Sequence, residues 1–176
     1  FVAPKLTTIG KQMFQGCTAL VNFIVPDNVT FIGERAFQGC SNLKTLTFPA
    51  SYKAETLSFG LTPFVSCPAF EGYVIEDGAS LQRTEDGTLL AGGGKVLVSL
   101  PQDFKGTSYT VPDGVEAISD YLFYKKTTIT SVTLPASLKK IGTAAFQGCT
   151  KLTSITLPDG FTTLGEHAFD GCSALK

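Results

Sequence analysis

The sequence of 176 residues predicts a β-rich solenoid, a coil of stacked repeats, and two independent spacings carry that prediction. Phenylalanines recur at a 23-residue interval: Phe14 with Phe37, and Phe123 with Phe146 and Phe169. Prolines repeat at the same interval: Pro26 with Pro49, and Pro112 with Pro135 and Pro158. Self-similarity at roughly 20–29 residues is typical of units that each contribute one strand and a short return segment. One unit cannot bury its apolar residues alone, so neighbouring units must stack.

Each unit contains one predicted strand that ends at a proline. In "LKTLTFP" (43–49) and "LTSITLP" (152–158), apolar residues alternate with hydroxyl residues, as in a half-buried strand. Proline ends the strand because it cannot donate to a ladder, and "PDG" at 112–114 and 158–160 is a turn sequence. The following stretch, such as "IGTAAFQGC", is too short for a long helix. We therefore expect one parallel sheet, with irregular or 3₁₀ return segments that point the phenylalanine inward.

The period breaks in the middle of the chain. Phe37 and Phe64 stand at a longer, 27-residue interval, and the step from Ile75 to Val111 also exceeds one regular unit. In "TEDGTLLAGGGKVLVSLP" (84–101), the Asp-Gly and Gly-Gly-Gly sequences favour tight turns between short strands, which predicts a β-hairpin or small meander that protrudes from or caps the solenoid. We expect a single solenoid domain over 1–176, with repeats at 1–75 and 107–176 and a hairpin-bearing insertion at 76–106.

Composition excludes two classes of partner. The net charge is −1, and no basic stripe of the kind that nucleic acid requires is present. No run of 18 apolar residues occurs, so we expect no membrane span in this chain. The chain has no initiator methionine and stops at "CSALK", where a new strand would begin, so we expect it to be a fragment of a longer protein.

The five cysteines allow two interpretations. Four of them pair at the 23-residue interval, Cys17 with Cys40 and Cys149 with Cys172, and Cys67 stands in the same place of its unit. Adjacent coils could bring such pairs within disulfide range. The odd count and the small apolar site favour buried free thiols. A zinc site is disfavoured, because coils place equivalent atoms in a line rather than around one point.

We expect no catalysis. His167 is the only histidine, so no Cys/His or Ser/His/Asp arrangement is supported, and buried thiols are inert. "GGGK" at 92–95 lacks the phosphate-loop pattern and is better explained as a turn. The sequence therefore predicts no catalytic residues, no metal ligands and no cofactor.

The candidate binding residues are those that flank the middle apolar residue of each strand. Their side chains point away from the core and form two columns, mostly of serine and threonine. The columns comprise Asn22 and Ile24, Thr45 and Thr47, Gly72 and Val74, Ser108 and Thr110, Ser131 and Thr133, and Ser154 and Thr156. The eight hydroxyl residues among them are the predicted binding face for a protein or glycan. Threonine also has a high β-propensity, which explains any one of them without a ligand.

The repeated unit reads V-x-x-I-G-x-x-A-F-x-x-C-x-x-L-x-x-L-x-V-P over residues 5–75 and 107–176. It resembles the BspA-like leucine-rich repeats of bacterial and some protist cell-surface proteins, and the "DGTLL…VSLP" insertion is typical of such proteins. The resemblance implies a right-handed leucine-rich-repeat coil, an extracellular or cell-surface location and an adhesion role. A host extracellular-matrix or cell-surface protein, or a glycan, is the implied partner. Lys126 in place of Cys, Glu76 in place of Pro and the lengthening near 52–60 depart from the pattern.

Two functions remain open at this point. The first is a binding or adhesion module that uses the solenoid sheet. The alternative is a passive repeat spacer or scaffold attached to an enzyme or other domain outside this chain.

Overall fold

The computed structural model describes residues 5–100 and 104–176, and within these ranges the chain forms short strands and turns without a helix. The strands are β1 (Thr8–Ile9), β2 (Asn22–Ile24), β3 (Phe31–Ile32), β4 (Thr45–Phe48), β5 (Ser58–Phe59), β6 (Gly72–Ile75), β7 (Gln82–Arg83), β8 (Leu89–Ala91), β9 (Val96–Ser99), β10 (Ser108–Thr110), β11 (Ala117–Ile118), β12 (Ser131–Thr133), β13 (Lys140–Ile141) and β14 (Thr163–Leu164). Their parallel stacking confirms the predicted solenoid.

Two columns of parallel strands run along the solenoid. The front strands are β2, β4, β6, β10 and β12, which contain the predicted binding residues except Ser154 and Thr156. The strand predicted at 152–158 is wrong in extent, since only an isolated bridge at Ser154 forms there. The back strands are β1, β3, β5, β9, β11, β13 and β14, and most contain only two residues. Partners keep the 23-residue interval in regular coils, as in Ser108↔Ser131, and adopt the 27-residue interval where the sequence lengthens, as in Thr45↔Gly72. The back strands lie in segments where the sequence predicted only an irregular return.

The return segments are joined by a second ladder of backbone hydrogen bonds. In each regular coil, alternate N–H groups donate to carbonyls of the next coil, as Phe14 N does to Ala36 O at 2.8 Å and Phe146 N to Ala168 O at 2.8 Å. Because the segment curves tightly, the residue four positions after the first ladder donor has positive φ, and glycine occupies this position in four coils, for example Gly39 and Gly148. This ladder keeps the phenylalanine at the same position in each coil, as the 23-residue interval predicted.

The phenylalanine rings form two separate columns. Phe14, Phe37 and Phe64 stack at centroid distances of 5.2 and 5.7 Å. Phe123, Phe146 and Phe169 stack at 4.7 and 5.2 Å. Each column belongs to its own hydrophobic core. We call the coils of residues 5–75 the N-terminal stack and those of residues 104–176 the C-terminal stack.

The predicted small meander is strands β7–β9, and it lies between the two stacks instead of protruding. Leu89 and Ala91 pack in the N-terminal core, whereas Leu90 and Leu97 pack in the C-terminal core. Strand β8 is antiparallel to both β7 and β9, and all three of its residues are buried. The meander therefore presents an apolar residue to each side.

The meander divides the predicted single sheet. The front strands form one sheet of β2–β4–β6 and another of β10–β12, with no pairing between β6 and β10 in the described ranges. The back strands divide likewise after β5. An inserted antiparallel layer takes up the space where the next parallel strand would have paired. Parallel pairing is therefore confirmed within each stack, but one continuous sheet is not formed.

The lengthened third coil brings in a buried tyrosine. Tyr52 is fully buried, and its hydroxyl donates to Val29 O at 2.5 Å. Burial raises its pKa, since the ionised phenolate would lose its hydration. The C-terminal stack keeps the 23-residue interval and has no equivalent residue.

Candidate binding face

The C-terminal front strands and the segment that follows them at 154–156 bring six of the eight predicted residues into two columns. Ser108 pairs in register with Ser131, and Thr110 pairs with Thr133. An isolated parallel bridge adds Ser154 beside Ser131, and Thr156 follows on the same segment. All six side chains are exposed, because the alternate residues Tyr109 and Val132 turn into the core.

The hydroxyls of these six residues form no hydrogen bond with any part of the described chain. Neighbouring threonines behave differently. Thr130 Oγ1 donates to Thr107 O at 2.9 Å, and Thr153 Oγ1 donates to Thr130 O at 3.1 Å. Thr130 and Thr153 thus link their coils to the preceding coil, whereas the two hydroxyl residues that follow each of them face solvent.

The N-terminal front strands place their residues differently. Thr45 and Thr47 are only partly exposed, and Thr45 Oγ1 donates to Asn22 Oδ1 at 2.9 Å. Thr47 lies in the column of Ile24 and Val74, whose side chains are 65% and 44% exposed. The eight predicted residues therefore form two groups with different chemistry, on either side of the meander.

Four of the five cysteines contribute to the two hydrophobic cores. All five are free, and four of the thiols donate to the carbonyl of the phenylalanine one coil earlier, at 2.9 to 3.1 Å. Burial raises the pKa of Cys149 to about 12, so its thiol stays protonated at neutral pH. Cys40 and Cys149 are buried as expected, and Cys67 and Cys172 are half-buried. The expectation of a buried thiol is wrong for Cys17, which is exposed.

A row of charges follows the back strands. Glu116 lies between Lys95 and Lys139, with Nζ–O distances of 3.2 and 2.7 Å. Hydrogen bonds from Lys139 and then Lys95 lower the pKa of the Glu116 carboxyl. Glu34 is similarly paired with Lys11 at 2.7 Å. These exposed pairs join successive coils, and such pairs contribute little to stability.

A cavity of about 400 Å³ separates the two stacks at the return segments. Its N-terminal wall carries the rings of Phe59, Phe64, Phe70 and Tyr73, and its C-terminal wall carries residues 120–122, Tyr124 and Lys126. Sequence reasoning missed this site. The available signal was that "VSC" (65–67) and "YKK" (124–126) lack the glycine of the repeated Gly-Cys pair, which every other coil keeps.

No helix in the described residues is long and apolar enough to cross a membrane.

Comparison with solved structures agrees with this architecture. A leucine-rich repeat protein from Eubacterium ventriosum is 21% identical, with a TM-score of 0.57, and the match covers 99% of this chain and 57% of that protein. The pneumococcal vaccine antigen PcpA is 22% identical, with a TM-score of 0.55, and the match covers 98% of this chain and 59% of that protein. The chain thus spans less than two thirds of either protein. At these identities the likeness shows the fold alone.

Among curated proteins, no significant match is found. The model of the BspA type leucine rich repeat region matches in six copies, over residues 2–76 and 102–176. These matches cover most of the chain and contain both ring columns and all the front strands. The chain belongs to the BspA-type leucine-rich repeat family.

Proposed function

We propose that this chain is a non-catalytic binding module displayed outside the cell, and that the C-terminal front strands are its contact surface for a protein or glycan. One observation carries the proposal: six exposed hydroxyls, on Ser108, Thr110, Ser131, Thr133, Ser154 and Thr156, have no partner within the described chain. The location outside the cell is the expectation that family membership supports. Thr45 and Thr47 extend the proposed surface on the N-terminal stack.

The geometry suits recognition without rearrangement. Parallel neighbours lie about 4.8 Å apart, and ladder hydrogen bonds fix their spacing. A preorganised surface loses little conformational entropy when it binds. Isolated hydroxyl contacts are weak, so affinity would come from several strands together, and truncating one hydroxyl should have little effect.

A pair of bulky charges tests the surface. We expect Thr133→Arg with Thr156→Arg to leave the core intact and to weaken binding by about tenfold or more, because the arginines cover the hydroxyl columns. Binding would be measured by surface plasmon resonance on immobilised extracellular-matrix proteins and on a glycan array, which separates the two partner classes.

The matched control changes the turns instead of the strands. Asp113→Arg with Asp159→Arg introduces two arginines at exposed turn positions of the same stack. If the turn variant loses binding while the strand variant binds like the wild type, the proposed surface is wrong. If the folded wild-type chain binds no matrix protein and no glycan, the result favours the passive spacer.

A further inference from the structure

Both walls of the cavity between the stacks carry interrupted backbone ladders. In the ordinary coils, N–H groups at three alternate positions donate to carbonyls of the next coil, as Arg35, Phe37 and Gly39 do to Leu61, Pro63 and Val65. In the third coil the equivalent donors are Thr62, Phe64 and Ser66. None of these three N–H groups has an acceptor in the described chain.

On the opposite wall of the cavity, the interruption of the ladder affects backbone carbonyl groups instead of N–H groups. Tyr121, Phe123 and Lys125 donate to the next coil, as expected for a regular unit. The carbonyls that would receive bonds from a preceding coil are those of Asp120, Leu122 and Tyr124. These carbonyls accept no bond from any described residue. Two of the donors, Thr62 and Phe64, and the residues of all three acceptors line one cavity, together with Val98, Ser99 and Leu100 at the end of the meander.

The side chains of the third coil also differ from those of the regular coils, because three aliphatic positions are aromatic there. Phe59 occupies the position of Ile32, Phe70 that of Leu43, and Tyr73 that of Leu46. Phe70 stacks on Phe64 at 4.2 Å, and Phe59 stacks on Tyr73 at 5.7 Å. Aliphatic positions have thus become an aromatic wall, which offers ring faces and edges to an inserted apolar side chain.

Residues next to the cavity walls also differ from the repeated sequence. Ser66 and Lys125 take the positive-φ position that glycine occupies in other coils, with φ of 59° and 53°. Lys126 replaces the cysteine whose thiol, in other coils, donates to the preceding phenylalanine carbonyl, and it forms no ion pair with a described residue. Lys126 lines the cavity, at the sequence position from which a thiol would donate to the phenylalanine carbonyl of a preceding coil.

We propose that this cavity is a peptide-binding slot that accepts one segment of a partner protein, with an aromatic side chain against Phe70 and Tyr73. The segment's carbonyls accept from Thr62, Phe64 and Ser66, and its N–H groups donate to Asp120, Leu122 and Tyr124. This is the bonding of a regular return segment, so the inserted peptide continues both ladders. A glycan also stacks on aromatic rings, but it does not supply alternating amide donors and carbonyl acceptors.

A peptide that copies the chain's own return segment is the probe. We would label a decapeptide of residues 142–151 carrying Cys149→Ser and titrate it with the whole chain by fluorescence anisotropy. We expect saturable binding, and we expect Phe146→Ala in the probe to weaken it by about tenfold or more. No binding up to about 1 mM overturns the proposal.

Single methyl groups on the probe test the ladder. In the folded chain the Phe146 N–H donates to the next coil, whereas the Lys151 N–H donates to no described carbonyl. N-methylation at Phe146 should weaken binding by about tenfold or more, and N-methylation at Lys151 should change it less than about twofold. Equal effects of the two methyl groups would exclude ladder pairing.

Protein variants locate the binding site. Tyr124→Ala removes a ring of the cavity wall that belongs to neither core, and it should weaken probe binding by about fivefold or more. Gln147→Ala is the matched control, since Gln147 lies at the same position one coil further on. The proposal fails if both variants bind alike. Thr133→Arg with Thr156→Arg should leave the peptide affinity unchanged, which keeps this site distinct from the proposed front surface.

Discussion

The two stacks use the same repeat, yet they differ in regularity and in the surface that they present. The C-terminal stack keeps the 23-residue interval and exposes serine and threonine on its front strands. The N-terminal stack has the longer, 27-residue interval at its third coil, buries Tyr52 and exposes Ile24 and Val74. Inward positions are maintained in both stacks, because each core must be filled at every coil. The comparison indicates that outward positions, and the coils beside the meander, are free to vary.

The largest expected effect is the loss of a ring from the middle of a column. Phe146→Ala should lower the free energy of unfolding by about 3–5 kcal/mol, because Phe146 is fully buried and stacks on rings at both sides. Phe37→Ala should cost a similar amount in the N-terminal stack. Among the described residues Phe169 stacks on a single ring, that of Phe146, so Phe169→Ala should cost clearly less. Denaturant titration would measure all three, and equal losses at Phe146 and Phe169 would contradict nearest-neighbour stacking.

A smaller effect is expected from glycines that let coils approach one another. A Cβ at Gly142 would lie 2.6 Å from Asp120 N, so Gly142→Ala must push two backbones apart. We expect a loss of about 1–3 kcal/mol. Gly10 holds the same place in the N-terminal stack, and no atom lies within 4 Å of the position that a Cβ would take there. Gly10→Ala should therefore leave the melting temperature nearly unchanged, and a large drop there would show that close approach is not the cause.

Alkaline pH should destabilise the protein through its buried thiols. The pKa of Cys149 rises from its ordinary value of 9.0 to about 12 in the folded chain. The folded thiol keeps its proton while the unfolded thiol loses it, so the unfolding free energy falls as pH rises from about 9 to about 12. Each such group contributes at most about 1.4 kcal/mol per pH unit. Cys149→Ala should flatten the pH dependence of denaturant unfolding, and an unchanged slope would refute this assignment.

Thiol accessibility gives the smallest effect, with no change in stability. Cys17 in the N-terminal stack is exposed, whereas Cys40 and Cys149 are buried. A chromogenic disulfide should react rapidly with one thiol in the folded chain and with five after denaturation. Cys17→Ser should remove the rapid phase. Release of fewer than two thiols on unfolding without reductant would instead indicate disulfides.

Much of the fold could be predicted because each repeat places apolar residues at the same spacing. The spacing of Phe146 and Phe169 gives the coil length, and the prolines give the strand ends. The two-residue back strands escaped prediction, since a pair such as Lys140–Ile141 has no periodicity to detect. The meander was predicted, but its place between two cores was not, because "TLLA" does not reveal which surfaces its leucines will cover.

The proposed front surface follows from alternation along each strand, which one sequence can reveal. The difference between Thr45, which bonds to Asn22, and Ser131, which bonds to no described group, depends on the side chain of the neighbouring coil. To predict the cavity, one would also need to know which coils lie next to each other across the meander. Its donors and acceptors become unpaired only because two coils that are far apart in sequence lie on either side of it.

The sequence by itself determined the repeat length, the inward residues, the strand ends and the site of the insertion, because each depends on local spacing or on packing against an identical neighbour. Only the tertiary structure decided that the insertion separates two cores, that the front sheet is divided, and that a cavity opens between Phe64 and Leu122. These features depend on how unlike segments meet. A regular coil packs against a neighbour with the same repeat, so its contacts can be predicted from its own sequence. The meander packs against coils with a different sequence, so its contacts cannot be predicted in this way.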